Sequence, residues 1–356
     1  MLRLNVARAA AAAAPSSGVR ALSSTAARRY KSPSMGDINP SRATVEKFNQ
    51  KQKEFREQLF EAQKERDARA LAQDNKTPTA SSGIAGAKPA TNADAGAAAE
   101  SRESEPDRKS GPLTNLIYGT KEGRELEAQL EASFSQVLAR GKYVHSIVFH
   151  EVKPDKVSEY VDLVGQWYPK MANMPSNKVH LVGSWRTEVG DCDTFIHIWE
   201  YQKYEGYHDS RYSMTHHPEF AEFERKLTTL INSKKIDLMQ EFSFWPTTPP
   251  RQLGGVFELR SYTLHPGNLL EWETHWRRGL NARREVMEGV GAWFVQIGDL
   301  NTVHHLWQFA NLEERRTRRE KSWSIEGWSD TVHKTVPLIQ EMKSRILIPM
   351  PWSPVA

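Results

Sequence analysis

The sequence has little cysteine, no long apolar run and, in its first third, few aromatic side chains. The single cysteine, Cys192, excludes an internal disulfide bond and suits a reducing compartment. No stretch approaches the roughly 18 consecutive apolar residues that a membrane-spanning helix needs. All 11 tryptophans follow residue 160, so the hydrophobic core must form in the C-terminal part of the chain.

Familiar catalytic signatures are also missing. The chain contains no P-loop, no dinucleotide-binding glycine motif, no CxxC pair, no HExxH and no GxSxG. A net charge of +4 with 12 histidines is too small to predict a nucleic-acid partner. The sequence therefore predicts no cofactor and no metal site, and it favours a non-enzyme while leaving catalysis open.

The first 35 residues lack acidic side chains, because the first acid in the chain is Asp37. They contain five arginines among many alanines and serines, which is typical of a mitochondrial presequence. The membrane potential draws a positive helix inward by about 2.3 kcal/mol per charge per 100 mV. We therefore expect a presequence at residues 1–35 and a mitochondrial matrix location. A disordered basic tail is the alternative.

Two segments of different composition separate this leader from the core. Residues 41–73 lack Gly and Pro, which predicts a charged helix. Its apolar residues form a heptad-like seam: Val45, Phe48, Phe55 and Leu59. This helix either meets a partner helix or a membrane surface, or it stays mobile and solvated. Residues 74–110 have linker composition, so residues 36–110 are interpreted as a charged helix and a disordered linker, and residues 111–142 as a helical lead-in.

From residue 143 onward the sequence repeats itself. The stretch HEVKPDKVSEY at 150–160 aligns with YTLHPGNLLEW at 262–272, and a Gly-Asp turn and a His/Trp strand follow in each copy. Each copy, 143–250 and 251–356, predicts the ferredoxin-like order strand, helix, strand, strand, helix, strand. Helices cover one face of such a sheet, and two copies can cover each other's bare face. We predict an α+β fold in which two tandem ferredoxin-like repeats form a dimeric α+β barrel-like pseudo-dimer.

Each copy places a histidine two residues before a tryptophan, in TFIHIWEY at 194–201 and TVHHLWQF at 302–309. Strand alternation puts His197 and His305 on lines of large aromatic side chains. Catalysis would need an orienting partner, and none recurs at the repeated spacing. We interpret both histidines as core residues rather than catalytic residues.

A second polar line lies in VFELRSYTL at 256–264, where three polar residues share one face of the strand. We place this line on the inner face of the barrel, where charges must be paired. Its acid and its arginine form either a structural ion pair or a polar anchor for a ligand. Two histidines complete the set: His150, which aligns with Tyr262 in the repeat, and His304, which points away from His305. The candidate ligand-binding residues are Glu258, Arg260, Tyr262, His150 and His304.

The longest motifs closely resemble the NipSnap family. They are VFELRSYTLHPG at 256–267, VGAWFVQIGDLNTVHHLWQF at 290–309 and SRILIP at 344–349, with FHEVKP and IHIWEY in the first copy. The resemblance covers roughly residues 143–356. It implies a dimeric α+β barrel, a mitochondrial location and no established catalytic residues. It also implies roles in vesicle transport and in marking damaged mitochondria for autophagy through protein adaptors.

Two shorter motifs have structural explanations. The run RRTRRE at 315–320 is interpreted as a solvated helix face. The stretch EYVDL at 159–163 has the acidic-aromatic pattern of autophagy-receptor ligands, but Tyr160 also lies on the apolar stripe of its helix.

Two functional hypotheses follow. The first is a mitochondrial, non-enzymatic interaction protein that acts in quality control (mitophagy signalling) or vesicle and membrane trafficking. Its partners are proteins, and membrane association and homo-oligomer formation are left open. The second is a barrel that binds a small apolar ligand, or transforms it as cofactor-independent oxygenases do, by analogy of fold. A cavity of roughly several hundred Å³ lined by the candidate residues would favour the second hypothesis, and a filled barrel the first.

We predict that the first 30 or so residues direct import and are removed, because they carry five arginines and no acid. N-terminal sequencing of the protein from isolated mitochondria should find a new N-terminus, after Leu22 or after Tyr30. Retention of Met1 in the mitochondrial protein would contradict this prediction.

Overall fold

The computed structural model describes residues 30–74, 143–174, 179–245 and 247–356. Three predicted segments lie outside the described residues: the presequence up to residue 29, the linker from residue 75, and the helical lead-in at 111–142. Within the described ranges, no helix has both the length and the apolar character needed to cross a bilayer.

The described part of the chain alternates strands and helices in two successive sets. The strands are β1 (Tyr143–Val152), β2 (Val179–Val189), β3 (Thr194–Gln202), β4 (Ile231–Glu241), β5 (Val256–Leu264), β6 (Glu288–Ile297), β7 (Thr302–Phe309) and β8 (Ile339–Pro349). The helices are α1 (Arg42–Asp74), α2 (Val157–Ala172), α3 (Lys203–Thr215), α4 (Phe220–Leu230), α5 (Leu269–Val286), α6 (Leu312–Ser322) and α7 (Trp328–Thr335). Single-turn 3-10 helices lie at Met35–Asp37, Pro154–Lys156 and Val336–Leu338. Two helices, rather than the single predicted one, precede the last strand of each repeat.

The eight strands close into one barrel in the order β1-β3-β2-β8-β5-β7-β6-β4. Each repeat contributes an antiparallel four-stranded sheet with its fourth strand beside its first, as in ferredoxin-like folds. The two sheets join where β2 pairs with β8, with Trp185 opposite Pro349, and where β4 pairs with β6, with Leu238 opposite Ile297. The predicted fold, two ferredoxin-like repeats that share a barrel, is confirmed.

Both faces of each sheet are covered, which explains why the strands are apolar on both sides. The extreme case is β7, which is buried at all eight of its positions. One face points into the barrel, where Trp185, Trp293, Phe257 and Leu306 belong to one apolar cluster. The other face meets the helices. Side chains therefore fill the barrel interior and form two further layers outside it.

The repeated aromatic lines belong to the outer, helix-facing layers. Phe195 and Trp199 pack with α2 in the first repeat, and Trp307 packs with α5 in the second. His197 and His305 lie within these lines and are 0% and 3% exposed, so the interpretation of both as core residues is confirmed.

A tight turn joins the second and third strand of each repeat, as the two Gly-Asp pairs predict. Gly190 has a φ of 115° and Gly298 a φ of 120°, a region that side chains with a Cβ rarely adopt. The turns thus fix the register of the two hairpins that carry His197 and His305.

The long charged helix α1 docks on the second repeat through its first half. Phe48 is buried against Leu253 and Ala310, and Val45 and Phe55 pack beside it. Gln52 donates a hydrogen bond of 2.9 Å to Glu288 Oε2. Of the alternatives that the sequence left open, the seam residues Val45, Phe48 and Phe55 are docked, and their partner is the second repeat of the same chain.

We predict that Trp307→Ala lowers the free energy of unfolding by about 3–5 kcal/mol, because a buried indole is lost and a cavity remains. Trp307 is 2% exposed, whereas Trp323 is 56% exposed. Trp323→Ala, the matched control, should change stability by less than about 1 kcal/mol. Chemical denaturation measures both variants, and equal losses would contradict the burial described here.

Candidate functional site

The candidate residues of β5 lie under the helices, not inside the barrel. Phe257 and Leu259 belong to the cluster that fills the barrel, so Glu258, Arg260 and Tyr262 point to the opposite face. The predicted alternation is correct, but the placement of the polar line on the inner face was wrong. The physical reason is that charges need partners, and the helices of the second repeat supply them, whereas the barrel interior is crowded with apolar side chains.

The two candidate histidines lie in separate places. His150 occupies the corresponding layer of the first repeat, where its Nδ1 lies 2.7 Å from the hydroxyl of Tyr160. His304 faces the barrel side, with its Nδ1 2.8 Å from the hydroxyl of Ser261, so the expectation that it points to the Glu258 line was wrong. Burial lowers the pKa of each histidine to about 3. Both are therefore neutral at physiological pH.

Glu258 is the centre of the polar cluster in the second repeat. Its carboxylate is fully buried and accepts hydrogen bonds from Arg260 (2.7 Å), from two nitrogens of Arg315 (2.8 and 2.7 Å) and from Ser344 (2.7 Å). Burial raises the pKa of the Glu258 carboxyl, but the hydrogen bonds of Arg315 and the charge of Arg260 outweigh it and hold that pKa well below its usual range. The predicted ion pair with Arg260 exists, as one part of a larger network.

The arginines of α6 supply much of this network, and the sequence pattern did not predict their role. Arg315 binds Glu258 directly, and Arg319, one turn later, lies 3.8 Å from the same carboxylate. Arg316 points outward and pairs with exposed acids. The interpretation of residues 315–320 as a solvated face was therefore wrong for the inward arginines. Their i, i+4 spacing opposite a buried acid is the signal that could have identified them.

A cavity of about 140 Å³ lies beside this network, between the sheet of the second repeat and the helices α5, α6 and α7. Six aromatic residues line it: Tyr262, Trp272, Trp276, Trp307, Trp323 and Trp328. Its mouth lies where the lining side chains are exposed, at Trp323, Val336 and Met342. The cavity therefore combines apolar aromatic walls with access from solvent.

Helix packing positions Arg283 in the wall of the cavity. α5 and α7 cross closely at Gly279, where an added Cβ would lie 2.0 Å from the hydroxyl of Thr331. One turn further along α5, the Arg283 guanidinium stacks 4.0 Å from the ring centre of Trp328. Burial and the neighbouring charge of Arg319 lower the pKa of Arg283 to about 9. Cations are thus crowded together in an apolar setting.

His305 presents a hydrogen-bond donor to the same region. Its Nδ1 lies 2.6 Å from the indole nitrogen of Trp307. Because an indole N–H can only donate, Nδ1 accepts and the proton of the neutral ring lies on Nε2. Burial holds the pKa of His305 well below its usual value. Nε2 is buried and has no hydrogen-bond partner among the described residues.

The first repeat closes the corresponding network internally. His197, the equivalent of His305, lies 2.9 Å from Tyr160 Oη through Nε2 and 2.9 Å from Ser184 Oγ through Nδ1. The equivalent of Tyr160 in the second repeat is Trp272, which has no hydroxyl group to offer His305. The cavity of the first repeat is also smaller, about 70 Å³. The two repeats therefore share a frame but differ at the site.

The cavity of the second repeat is suited to binding an acceptor-rich molecule. Arg260, Arg283, Arg319 and His305 line it, and each presents hydrogen-bond donors. The described residues contain no cluster of three His, Cys, Asp or Glu side chains that could hold a metal ion. Of the candidate residues, Arg260 and Tyr262 line this cavity and His150 lines that of the first repeat. Whether any of them binds a ligand stays a prediction.

We predict that Glu258→Gln lowers stability by about 3–5 kcal/mol, because it leaves several buried guanidinium groups without their counterion. Arg260→Met should cost less, since Arg315 and Ser344 still bind the carboxylate. A double-mutant cycle should show coupling between the two positions, and strictly additive losses would contradict direct pairing. Glu313→Gln, which removes an exposed partner of Arg316, is the control and should have little measurable effect.

The same network predicts a pH dependence. Because the folded pKa of Glu258 is depressed, its stabilising contribution is complete above the unfolded value of about 4.3 and is lost as the pH falls towards the folded value. The stability difference between the native protein and Glu258→Gln should therefore shrink between pH 7 and pH 3. Denaturant titrations at both pH values measure it, and a constant difference would contradict the ionised network.

Known proteins resemble the chain over the two repeats. It is 38% identical to NipSnap homolog 1 of Danio rerio over 60% of this chain and 76% of that protein. It is also 38% identical to human NipSnap homolog 2, over 60% and 74% of the two chains. Among solved structures, a NIPSNAP-like domain protein from Burkholderia xenovorans is 36% identical over 28% of this chain and 87% of that chain, with a TM-score of 0.26.

A more distant likeness extends across both repeats. A putative monooxygenase from Lactobacillus acidophilus is 10% identical and covers 58% of this chain and 94% of that chain, with a TM-score of 0.45. The family model named NIPSNAP matches residues 147–246 and 257–354, which are the two ferredoxin-like repeats. The chain therefore belongs to the NIPSNAP family.

Proposed function

We propose that this NIPSNAP protein is a mitochondrial, non-enzymatic interaction protein that acts in quality control or in vesicle and membrane trafficking. The observation that carries the proposal is the filled barrel, in which Trp185, Trp293 and Phe257 occupy the interior. Such an interior makes the two repeats one rigid body that can present surfaces to protein partners. Membership in the family agrees with this role.

The helix α1 is the segment that we propose as a contact surface. Its first half is docked, and the helix continues beyond the contact of Arg56 with Glu288 to Asp74. Phe60, just beyond that contact, is 68% exposed. Tyr160 of the autophagy-like motif, by contrast, is fully buried and is unsuited to contact with an adaptor.

The proposed location is the mitochondrial matrix, and its support is the acid-free, arginine-rich leader. Association with the membrane and formation of homo-oligomers are compatible with the proposal and are not required by it. Partners that mark damaged mitochondria would meet the protein when import stops, because the leader depends on the membrane potential.

Proximity labelling tests this role in intact and in depolarised mitochondria. We expect the full chain fused to a labelling enzyme to acquire autophagy or trafficking proteins on depolarisation. The control is the labelling enzyme fused to residues 1–35 alone. It labels the proteins that lie near any enzyme imported by this leader, without the two repeats. If the full chain and the control label the same proteins under both conditions, the interaction role is rejected.

A second candidate function is the binding of a small molecule, and the cavity of the second repeat is the observation that favours it. The cavity lies outside the barrel, so a filled interior does not count against it. Five tryptophans in its walls are suited to an apolar body. Gentle extraction of the purified protein followed by mass spectrometry tests whether a molecule is retained.

A further inference from the structure

We propose that the cavity of the second repeat binds a small aromatic carboxylate, with the carboxylate held by Arg283, Arg319 and His305 and the ring packed against the tryptophans of the cavity wall. This inference rests on the second candidate function, small-molecule binding, and names its ligand class. It does not depend on the interaction role.

The first argument is the charge of the cavity. Three arginines, Arg260, Arg315 and Arg319, surround the single carboxylate of Glu258. A fourth arginine, Arg283, lies close enough to interact with the charges of Arg319, Arg260 and Glu258. Glu258 is already bound by Arg315, Arg260 and Ser344, so it has little capacity left for the others. The cluster therefore has a surplus of positive charge, and an anion would balance it.

The second argument is the unused hydrogen-bond donors. Arg283 Nε, Arg319 Nη1 and His305 Nε2 belong to residues that line the cavity, and all three atoms are buried without a hydrogen-bond partner among the described residues. Arg319 Nη1 lies 3.8 Å from Glu258 Oε2, which is too far for a hydrogen bond. All three atoms carry protons and none can accept a hydrogen bond. Buried polar groups in native proteins are normally satisfied. A carboxylate offers about four acceptor positions, enough for all three donors.

The third argument is size and shape. The cavity of about 140 Å³ is close to the roughly 150 Å³ that holds benzene in another, engineered protein. Trp272 and Trp276 stack with ring centroids 4.8 Å apart, and Trp307 stands nearby in the wall. Because the rings of Trp272 and Trp276 already stack on each other, they form one continuous aromatic wall. The cavity has the volume for a single aromatic ring packed against this wall, whereas a fused multi-ring compound exceeds that volume.

The first repeat shows that the donors are not required by the fold. There the equivalent histidine, His197, is satisfied by Tyr160 and Ser184. The second repeat has Trp272 in place of the tyrosine and adds arginines from α5 and α6. The open histidine donor beside a group of arginines is thus found in the second repeat, whereas the equivalent histidine of the first repeat is satisfied, as expected for a binding site on a shared frame.

The test is isothermal titration calorimetry of the full chain with benzoate, its neutral analogue benzamide and inorganic phosphate. We expect benzoate to bind at one site per chain and benzamide to bind at least about tenfold more weakly, because only benzoate offers a charge to the arginines. Inorganic phosphate should also bind more weakly than benzoate, because it has no ring to pack against the tryptophans of the cavity wall.

Variants locate the site. Arg319→Met and His305→Gln should each weaken benzoate binding at least about tenfold. Two matched controls should stay within about twofold: Arg316→Met on the exposed face of α6, and Arg211→Met in the cavity of the first repeat. Thermal unfolding confirms that each variant is folded. Arg319→Met is expected to leave the fold intact, because the Arg319 guanidinium lies 3.8 Å from Glu258, too far for a hydrogen bond.

Four outcomes would overturn the proposal. Equal binding of benzoate and benzamide would reject the anionic group while leaving small-molecule binding in place. Tighter binding of phosphate than of benzoate would reject the aromatic body. An equal loss in Arg211→Met would move the site to the first repeat. If none of the three compounds binds, both this inference and the second candidate function lose their support.

Discussion

Each four-stranded sheet of this protein is apolar on both faces, and this single constraint determines the rest of the architecture. Helices can cover only one face, so the other face of each sheet must be buried against its counterpart. The pairing of β2 with β8 and of β4 with β6 achieves this, and it also removes the exposed sheet edges. A closed barrel filled with side chains follows.

The filled barrel also decides where polar chemistry can be placed. A carboxylate in the barrel interior would face Trp185, Trp293 and Phe257, with no cation within the apolar cluster to pair with it. The layer under the helices is different, because α5 and α6 carry arginines that reach the sheet from outside. The buried charges around Glu258 therefore lie in the sheet–helix layer of the second repeat, where they border a cavity.

Much of the frame could be predicted from sequence, and the site could be predicted only in part. The aligned prolines, the Gly-Asp turns and the His/Trp strands set the order and the doubling of the elements, since these are local patterns. Alternation along β5 also separated Phe257 from Glu258 correctly. It could not say which face lies inside, because both faces are buried and the pattern is symmetric.

The arginines of α6 escaped prediction for a different reason. A run such as RRTRRE has the composition of a solvated helix, and composition records charge without recording its partner. The partner of Arg315 is Glu258, 57 positions away in sequence, and their contact exists only after β5 and α6 are folded together. The docking of α1 is similar, because Gln52 meets Glu288 across 236 positions. Long-range polar pairs of this kind have no local periodicity.

The two repeats show what evolution can vary once the frame is fixed. In the first repeat, Tyr160 joins His150 to His197 and closes the polar network, which leaves both histidines satisfied and neutral. In the second, a tryptophan replaces that tyrosine, and each donor left open costs about 1–3 kcal/mol of stability. Buried hydrogen-bond donors that stay without a partner despite such a cost are expected mainly at functional sites. Glu258 limits this cost by binding Arg260 and Arg315. One carboxylate cannot neutralise four guanidinium groups, however. The positive charge that remains is concentrated at Arg283 and Arg319, beside the aromatic walls of the cavity.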